Sequence, residues 1–249
     1  MTQDISDLLN SWPFDPEKSI RRIDGLDGKT RLQVRLPLGI EQYELAGRPD
    51  GKRPNGFESL LDYYEMSLEQ VRRSEGSDVG FSLSSSECHD LQEEGLLYYY
   101  RYLLCYQLGE YELVKRDTER NMRLFRFATR YAANHEDKKA FEQYWPYVIR
   151  MNATAQALQA LGFGDRQTAL KLLKQAKEEI TSLPDVDTPL FAQERERSLA
   201  VLDETLENIE KTKPPSEKEQ LEKLLEKAIA AENYEQAAKL RDMITRMKD

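Results

Sequence analysis

The chain has 249 residues, 36 Lys and Arg against 45 Asp and Glu, and a formal net charge of −9. That balance argues against a general binder of nucleic acid or anionic membranes, because neutralising phosphates takes clustered cations. No run approaches the roughly 18 apolar residues of a membrane span. MTQDISDLLNSW also lacks the basic-then-apolar build of a signal peptide, so a soluble, cytoplasmic protein is expected. Cys88 and Cys105 make no disulfide framework. No CxxC pair starts a zinc site, and His89 and His135 are the only imidazoles, so no metal, no cofactor and no catalytic residue is expected.

Residues 1–54 read as a small β module. In KTRLQVRL, Leu32, Val34 and Leu36 alternate with polar residues at the period of a half-buried strand. Asp24-Gly25 and Asp27-Gly28 supply turn chemistry, so SIRRIDGLDGKTRLQVRL predicts a β-hairpin, with a further strand over IEQYEL. The Asp-Gly cluster lacks the spaced oxygens and closing Glu of a calcium loop.

From Asn55 to Lys211 the chain reads as helical. Asn55 with Glu58 resembles a capping box, and Phe57, Leu60, Leu61, Tyr64, Leu68 and Val71 share one helical face. Ser74 to Ser85 is a loop by composition, and helices follow over about Glu87 to Leu108 and Tyr111 to Ala133. Pro146 ends or kinks a helix, so a short helix precedes it and another runs from about Tyr147 to Leu161. After GFGD comes a helix through Ala169, Leu173, Ala176 and Ile180; Thr188-Pro189 then starts one that runs to about Lys211. LLYYYRYLLCYQLGEYELVKRDTERNMRLF and NATAQALQALGFGDRQTALKLLKQAKEEI share a helix, glycine turn, helix layout. The second resembles a tetratricopeptide repeat, in which small residues such as Ala155, Ala169 and Ala176 let helices sit close. The expected fold is mainly α with a small N-terminal sheet, built of stacked helical hairpins.

Pro214-Pro215 break the helical pattern, so residues 212–217 read as a linker, and Ser216 with Glu219 makes a fresh capping box. Residues 218–249 then predict a helical hairpin. Leu221, Leu224, Leu225, Ala228 and Ile229 form one apolar stripe, and Ala237, Leu240, Ile244 and Met247 form another, with Glu232-Asn233-Tyr234 as the turn. Each helix spans only about three turns, below the ~12–15 residues at which an isolated helix becomes marginal in water. Without disulfide or metal, so small a hairpin needs a covering surface.

The tract AxxxxNYEQAAxLRDxI resembles the UVR motif, the helical hairpin of the excision-repair subunits UvrB and UvrC, of some Clp chaperone ATPases and of McsA-type kinase activators. The matching positions are Leu225, Ala228, Asn233, Tyr234, Glu235, Ala237, Ala238, Leu240, Arg241, Asp242 and Ile244. The resemblance implies protein–protein contact, commonly by pairing with another such hairpin, through these residues other than the turn residue Asn233, together with Leu221. Neither a phosphate-cradling GxxxxGK[ST] loop nor the CxxC pairs of McsA-type proteins are present, so it implies binding and no activity.

Two further features compete. Arg116, Arg120, Arg123 and Arg130 share one face of the third helix, with Arg126 and Phe127 beside them, a candidate surface for an acidic partner or nucleic acid. The bland alternative is a face paired to acidic neighbours. Tyr98, Tyr99, Tyr100, Tyr102 and Tyr106 wrap around their helix, as core or as lining of a peptide groove. Cys88 and His89 are adjacent and point about 100° apart, so they cannot share a proton. The expectation is a non-enzymatic adaptor that binds another protein or a second copy, with no membrane and with nucleic acid disfavoured. The alternatives are an accessory factor of DNA excision repair that touches a repair subunit and DNA, and a regulator of a Clp-type protease or chaperone.

Overall fold

A computed structural model describes residues 4–212 together with Leu221, Leu225, Lys239, Leu240, Arg241 and Met243. The chain divides into two compact units, Met1–Glu204 and Thr205–Asp249. Among the described residues the secondary structure is mainly α, with eight helices and one small antiparallel sheet.

The sheet is a meander of β1 (Ile20–Asp24), β2 (Thr30–Leu36) and β3 (Gly39–Glu44). Its first turn closes with the Gly25 amide donating to the Lys29 carbonyl at 2.8 Å, and Gly28 takes the left-handed φ of 75° that the turn needs. Register pairs Leu32 with Tyr43 and Val34 with Glu41. Leu32, Val34 and Tyr43 bury against Tyr102, Cys105, Val114, Met151 and Ala155, so the sheet shares one core with the helices. Leu36, at the end of the alternation, is exposed where the chain turns back toward Gly39. The opposite face carries a polar row in which Arg21 donates to Gln33, and Gln33 to Gln42, each within 2.9 Å.

Most helix boundaries follow from caps. The first helix, α1 (Ser6–Ser11), adds to the elements expected from sequence, with Ile5, Leu8, Leu9 and Trp12 at helical spacing as its short periodic signal. Next, α2 covers Leu60–Glu75, and here the structure corrects the expected Asn55–Glu58 capping box. Asn55 is left-handed, with φ 51°, inside a short 3-10 turn, and Phe57 is extended. The cap is Ser59, whose hydroxyl accepts from the Asp62 amide at 3.1 Å. Then α3 (Ser85–Gln107) starts at a full capping box of Ser84 and Glu87, and α4 (Tyr111–Tyr131) follows the turn at Gly109. Asn134 caps the short α5 (His135–Glu142), and Pro146 lies in the first turn of α6 (Trp145–Gly162), where its missing N–H costs nothing. Asp165 caps α7 (Arg166–Ser182), and the Thr188 hydroxyl accepts from the Phe191 amide at the start of α8 (Pro189–Lys211).

Helix α3 packs on α4, α4 on α6 and α6 on α7. Enclosed between neighbours, α6 is buried on several sides, at Val148, Ile149, Met151, Ala153, Ala155 and Ala157. Ala155, Ala169 and Ala176 are all buried, as the small-residue reading expected. In its first-unit portion α8 is held by Arg150, which donates to Ser198 at 3.2 Å, and by a Lys177–Asp203 pair at 2.5 Å.

Two charges on the apolar side of α3 organise the loop between β3 and α2. Arg101 and Asp117 are each 1% exposed and pair in two parallel hydrogen bonds of 2.7 and 2.8 Å. The same guanidinium donates to the carbonyls of Glu44 at 2.7 Å and Gly47 at 2.8 Å. Glu94, fully buried, accepts from Arg48 at 2.9 Å, from Arg120, and from the Leu60 and Leu61 amides at 2.7 and 3.2 Å. Its carboxylate thus satisfies N–H groups at the start of α2, where the positive end of the helix dipole favours it. This is why α2 begins at Leu60. Removing one partner from such a buried site strands the others, so Glu94→Ala is expected to cost about 3–5 kcal/mol in urea unfolding. A loss below about 1 kcal/mol, the range of surface pairs, would contradict this role.

Candidate functional site

The four arginines that the sequence puts on one face of α4 are each tied to a carboxylate. Arg116 donates to Asp117 at 2.9 Å, and Arg120 reaches Glu94 while its guanidinium lies 3.9 Å from the Tyr98 ring centre. Arg123 pairs with Asp62 at 2.7 Å and Glu65 at 3.3 Å, and Arg130 with Asp78 at 2.8 Å. Burial pulls Arg120 below its ordinary pKa, opposed by the Glu94 charge, and burial pushes Glu65 up, opposed by Arg123. Asp78 also accepts from the Tyr131 hydroxyl at 2.9 Å, the main cause that holds its carboxyl below the ordinary range, with Arg130 and Arg72 adding to it. With the folded value depressed, that tie is kept at neutral pH and is lost only as the pH falls below the usual carboxylate range. Arg120, Arg123 and Arg130 therefore join α4 to α3, to α2 and to the loop between those two helices, whereas Arg116 pairs within α4. Four of the five carboxylates lie 26 or more residues away from their arginine, and no local pattern predicts such partners.

The tyrosines of α3 divide by face. Tyr98 and Tyr102 are core; Tyr99 and Tyr106 are half-buried, with Tyr99 5.8 Å from Tyr147 between ring centres; Tyr100 is exposed. Cys88 and Cys105 are unpaired and buried, and desolvation pushes both thiols up to about 11. Neither is a ready nucleophile, since the thiolate is the reactive form. His89 and His135 are exposed. Among the described residues no group of three or more His, Cys, Asp and Glu is placed to hold a metal ion, and no helix is long and apolar enough to cross a membrane.

In the second unit, Leu221 and Leu240 are 9% and 8% exposed and pack on one another, with Leu225 against them. All three are helical, as are Lys239, Arg241 and Met243, which are exposed. The structure therefore brings together members of both apolar stripes. Of the other positions expected to bind a partner, Ala228, Tyr234, Glu235, Ala237, Ala238, Asp242 and Ile244 lie outside the described residues.

A family model described as the UvrB/uvrC motif, UVR, matches residues 216–249. Searches of curated proteins and of solved structures gave no match for the chain.

Sequence reasoning passed over Arg48, Glu94 and Arg101. A signal was present: Leu91, Glu94, Tyr98, Arg101 and Cys105 recur every three or four residues, which sets two charges inside an apolar stripe. Charges so placed must find partners.

The thiol environment gives a direct check. In the folded protein at pH 8, iodoacetamide is expected to modify Cys88 and Cys105 at least tenfold more slowly than in urea, because the thiolate is scarce and the side chains are enclosed. Equal rates by mass spectrometry would place a thiol at the surface.

Proposed function

We propose that this protein is a non-enzymatic adaptor whose C-terminal segment, residues 216–249, binds another protein. One observation carries the reading: the leucine seam of Leu221, Leu225 and Leu240 falls in the segment that the UVR family model matches. In the hairpin that the sequence pattern predicts, two helices of about three turns would cover one another on one side only, and an apolar seam that short gains stability from a further helix or hairpin laid against it. A partner with its own UVR-type hairpin, or a second copy of this chain, offers the right shape. The stacked, tetratricopeptide-like body serves in this reading as the scaffold that carries the segment. Unpaired thiols fit a cytoplasmic setting, where cysteines stay reduced.

Deletion of 216–249, Leu225→Asp or Ala238→Glu is expected to abolish capture of the partner, while the helix content and urea midpoint of the body stay unchanged. Should either substitution unfold the whole chain, the segment is a structural part of the body and the adaptor reading fails.

The name of the matching motif favours a second reading, an accessory role in DNA excision repair through contact with a repair subunit. The pairing of the α4 arginines weighs against direct DNA contact through that face. In a mobility shift at two salt concentrations, wild type and an Arg120→Ala, Arg123→Ala double variant are expected to bind DNA equally poorly, with the variant losing stability instead. Tight binding that falls steeply with salt and disappears in the double variant would reverse the order of the two readings.

A further inference from the structure

Where α3, α6 and α8 come together, one guanidinium and one carboxylate are short of partners. Arg150 of α6 donates through Nε to the Ser198 hydroxyl of α8 at 3.2 Å, and its Nη1 meets only the Met151 sulfur at 3.8 Å. Its Nη2 has no acceptor among the described residues. Arg31, Arg48 and Arg195 are half-buried like Arg150, yet each reaches at least two oxygen acceptors. Glu194, one turn before Ser198 on α8, faces Tyr147, and its Oε2 is buried without a donor among the described residues. No ion pair joins Arg150 to Glu194.

Tyrosines supply the walls. The Arg150 guanidinium lies 5.0 Å from the centre of the Tyr147 ring, and that ring lies 5.8 Å from the Tyr99 ring. Tyr99, Tyr106 and Tyr147 rest on the core with one side and stay half-buried, so part of each ring is open. Burial pushes the Tyr102, Tyr106 and Tyr147 hydroxyls above their ordinary pKa, against the pull of the nearby Arg150 charge. At neutral pH these phenols are therefore donors. Tyr99 and Tyr102 share hydrogen bonds with the Tyr147 hydroxyl, whereas the Tyr106 hydroxyl has no partner among the described residues.

The balance of these groups says what fits them. A cation is repelled by Arg150 and an anion by Glu194, so neither sign of charge gains from both. The unmatched donors, on Arg150 and Tyr106, outnumber the one unmatched acceptor, on Glu194. A proline-rich peptide has the converse balance, because each proline offers a carbonyl and no N–H. Its extended helix leaves those carbonyls unbonded, is stiff before binding, and lays its rings on aromatic surfaces. The chain's own Pro214-Pro215 is flanked by Lys211, Lys213, Glu217 and Lys218 and lacks this neutrality.

We propose that the groove between α3, α6 and α8 binds an uncharged, proline-rich segment of another protein. Arg150 and Tyr106 donate to its carbonyls, Glu194 accepts an N–H from a residue between prolines, and Tyr99 and Tyr147 pack on its rings. The site lies in the first unit and does not rest on the adaptor reading of residues 216–249.

The test titrates the full chain with a fluorescein-labelled peptide of Pro-Pro-Ala triplets, read by fluorescence anisotropy. Flexible Gly-Ser-Ala, oligolysine and oligoglutamate peptides of the same length run beside it. Saturable binding of the proline peptide is expected, about tenfold tighter than of the others and nearly constant as salt rises. Arg150→Lys keeps the charge and a donor for Ser198 but loses the planar fork, and Tyr106→Phe keeps the ring. Each is expected to weaken binding about fivefold. Glu194→Gln keeps an acceptor and should change affinity by less than about threefold, and deletion of 216–249 should not change it. Urea midpoints of the two Arg150 and Tyr106 variants should match wild type, which separates lost binding from lost packing. The proposal is overturned by no saturation up to about 1 mM peptide, or by equal binding of the flexible or charged peptides. Binding indifferent to both Arg150→Lys and Tyr106→Phe, or abolished by Glu194→Gln or by the deletion, would overturn it as well.

Discussion

Short helices persist in water only where their apolar stripes are covered, and this constraint shapes both units of the chain. In the first, the long helices cover one another, α3 on α4, α4 on α6 and α6 on α7, and the inner face of the sheet lies on all three of α3, α4 and α6, while the six-residue α1 stays uncovered. Every fully buried Leu or Phe in such a stack contributes about 1.5–3 kcal/mol, and the entropy of ordering the chain offsets most of the sum. In the second, the described part of the seam is three leucines.

Coverage alone does not fix geometry, because apolar contacts carry little direction. Direction comes from the charges buried in the first unit. Glu94 holds the start of α2, Arg48 of the preceding loop and Arg120 of α4 at one carboxylate. Arg101 holds Asp117 and the two carbonyls that follow β3. Both sit on α3, and between them they set where the sheet ends and the helical stack begins. A buried ion pair adds little net stability over an apolar equivalent, and its contribution here is to make one arrangement of loop and helices far better than its competitors. Of the arginines that sequence alone offers as a binding face, Arg120 belongs to this same internal order, and Arg123 and Arg130 extend it to the surface through Asp62 and Asp78.

Periodicity and caps made much of the fold legible. The β-hairpin, the third strand, the break at Pro146 and the start at Thr188 follow from residue chemistry within a few positions of each other. The start of α2 did not, because Asn55 with Glu58 and Ser59 with Asp62 are equally good local signals, and the choice is made by Glu94, 33 and 34 residues further on. The α4 arginines left two readings open for a related reason, since a helical face shows which side chains cluster and is silent about what lies opposite. At the C-terminus the stripe pattern did foretell the contact of Leu221 and Leu225 with Leu240. What would cover that seam depends on two surfaces, and only one of them is written in this sequence.

The account depends on residues 216–249 being too small a helical assembly to stand uncovered. The most direct measurement is circular dichroism with sedimentation on that segment alone, across a wide concentration range. Low helicity at micromolar concentration, with helix gained only as the segment associates or a partner is added, is the expected result. A fully helical, cooperatively melting monomer in dilute buffer would contradict it.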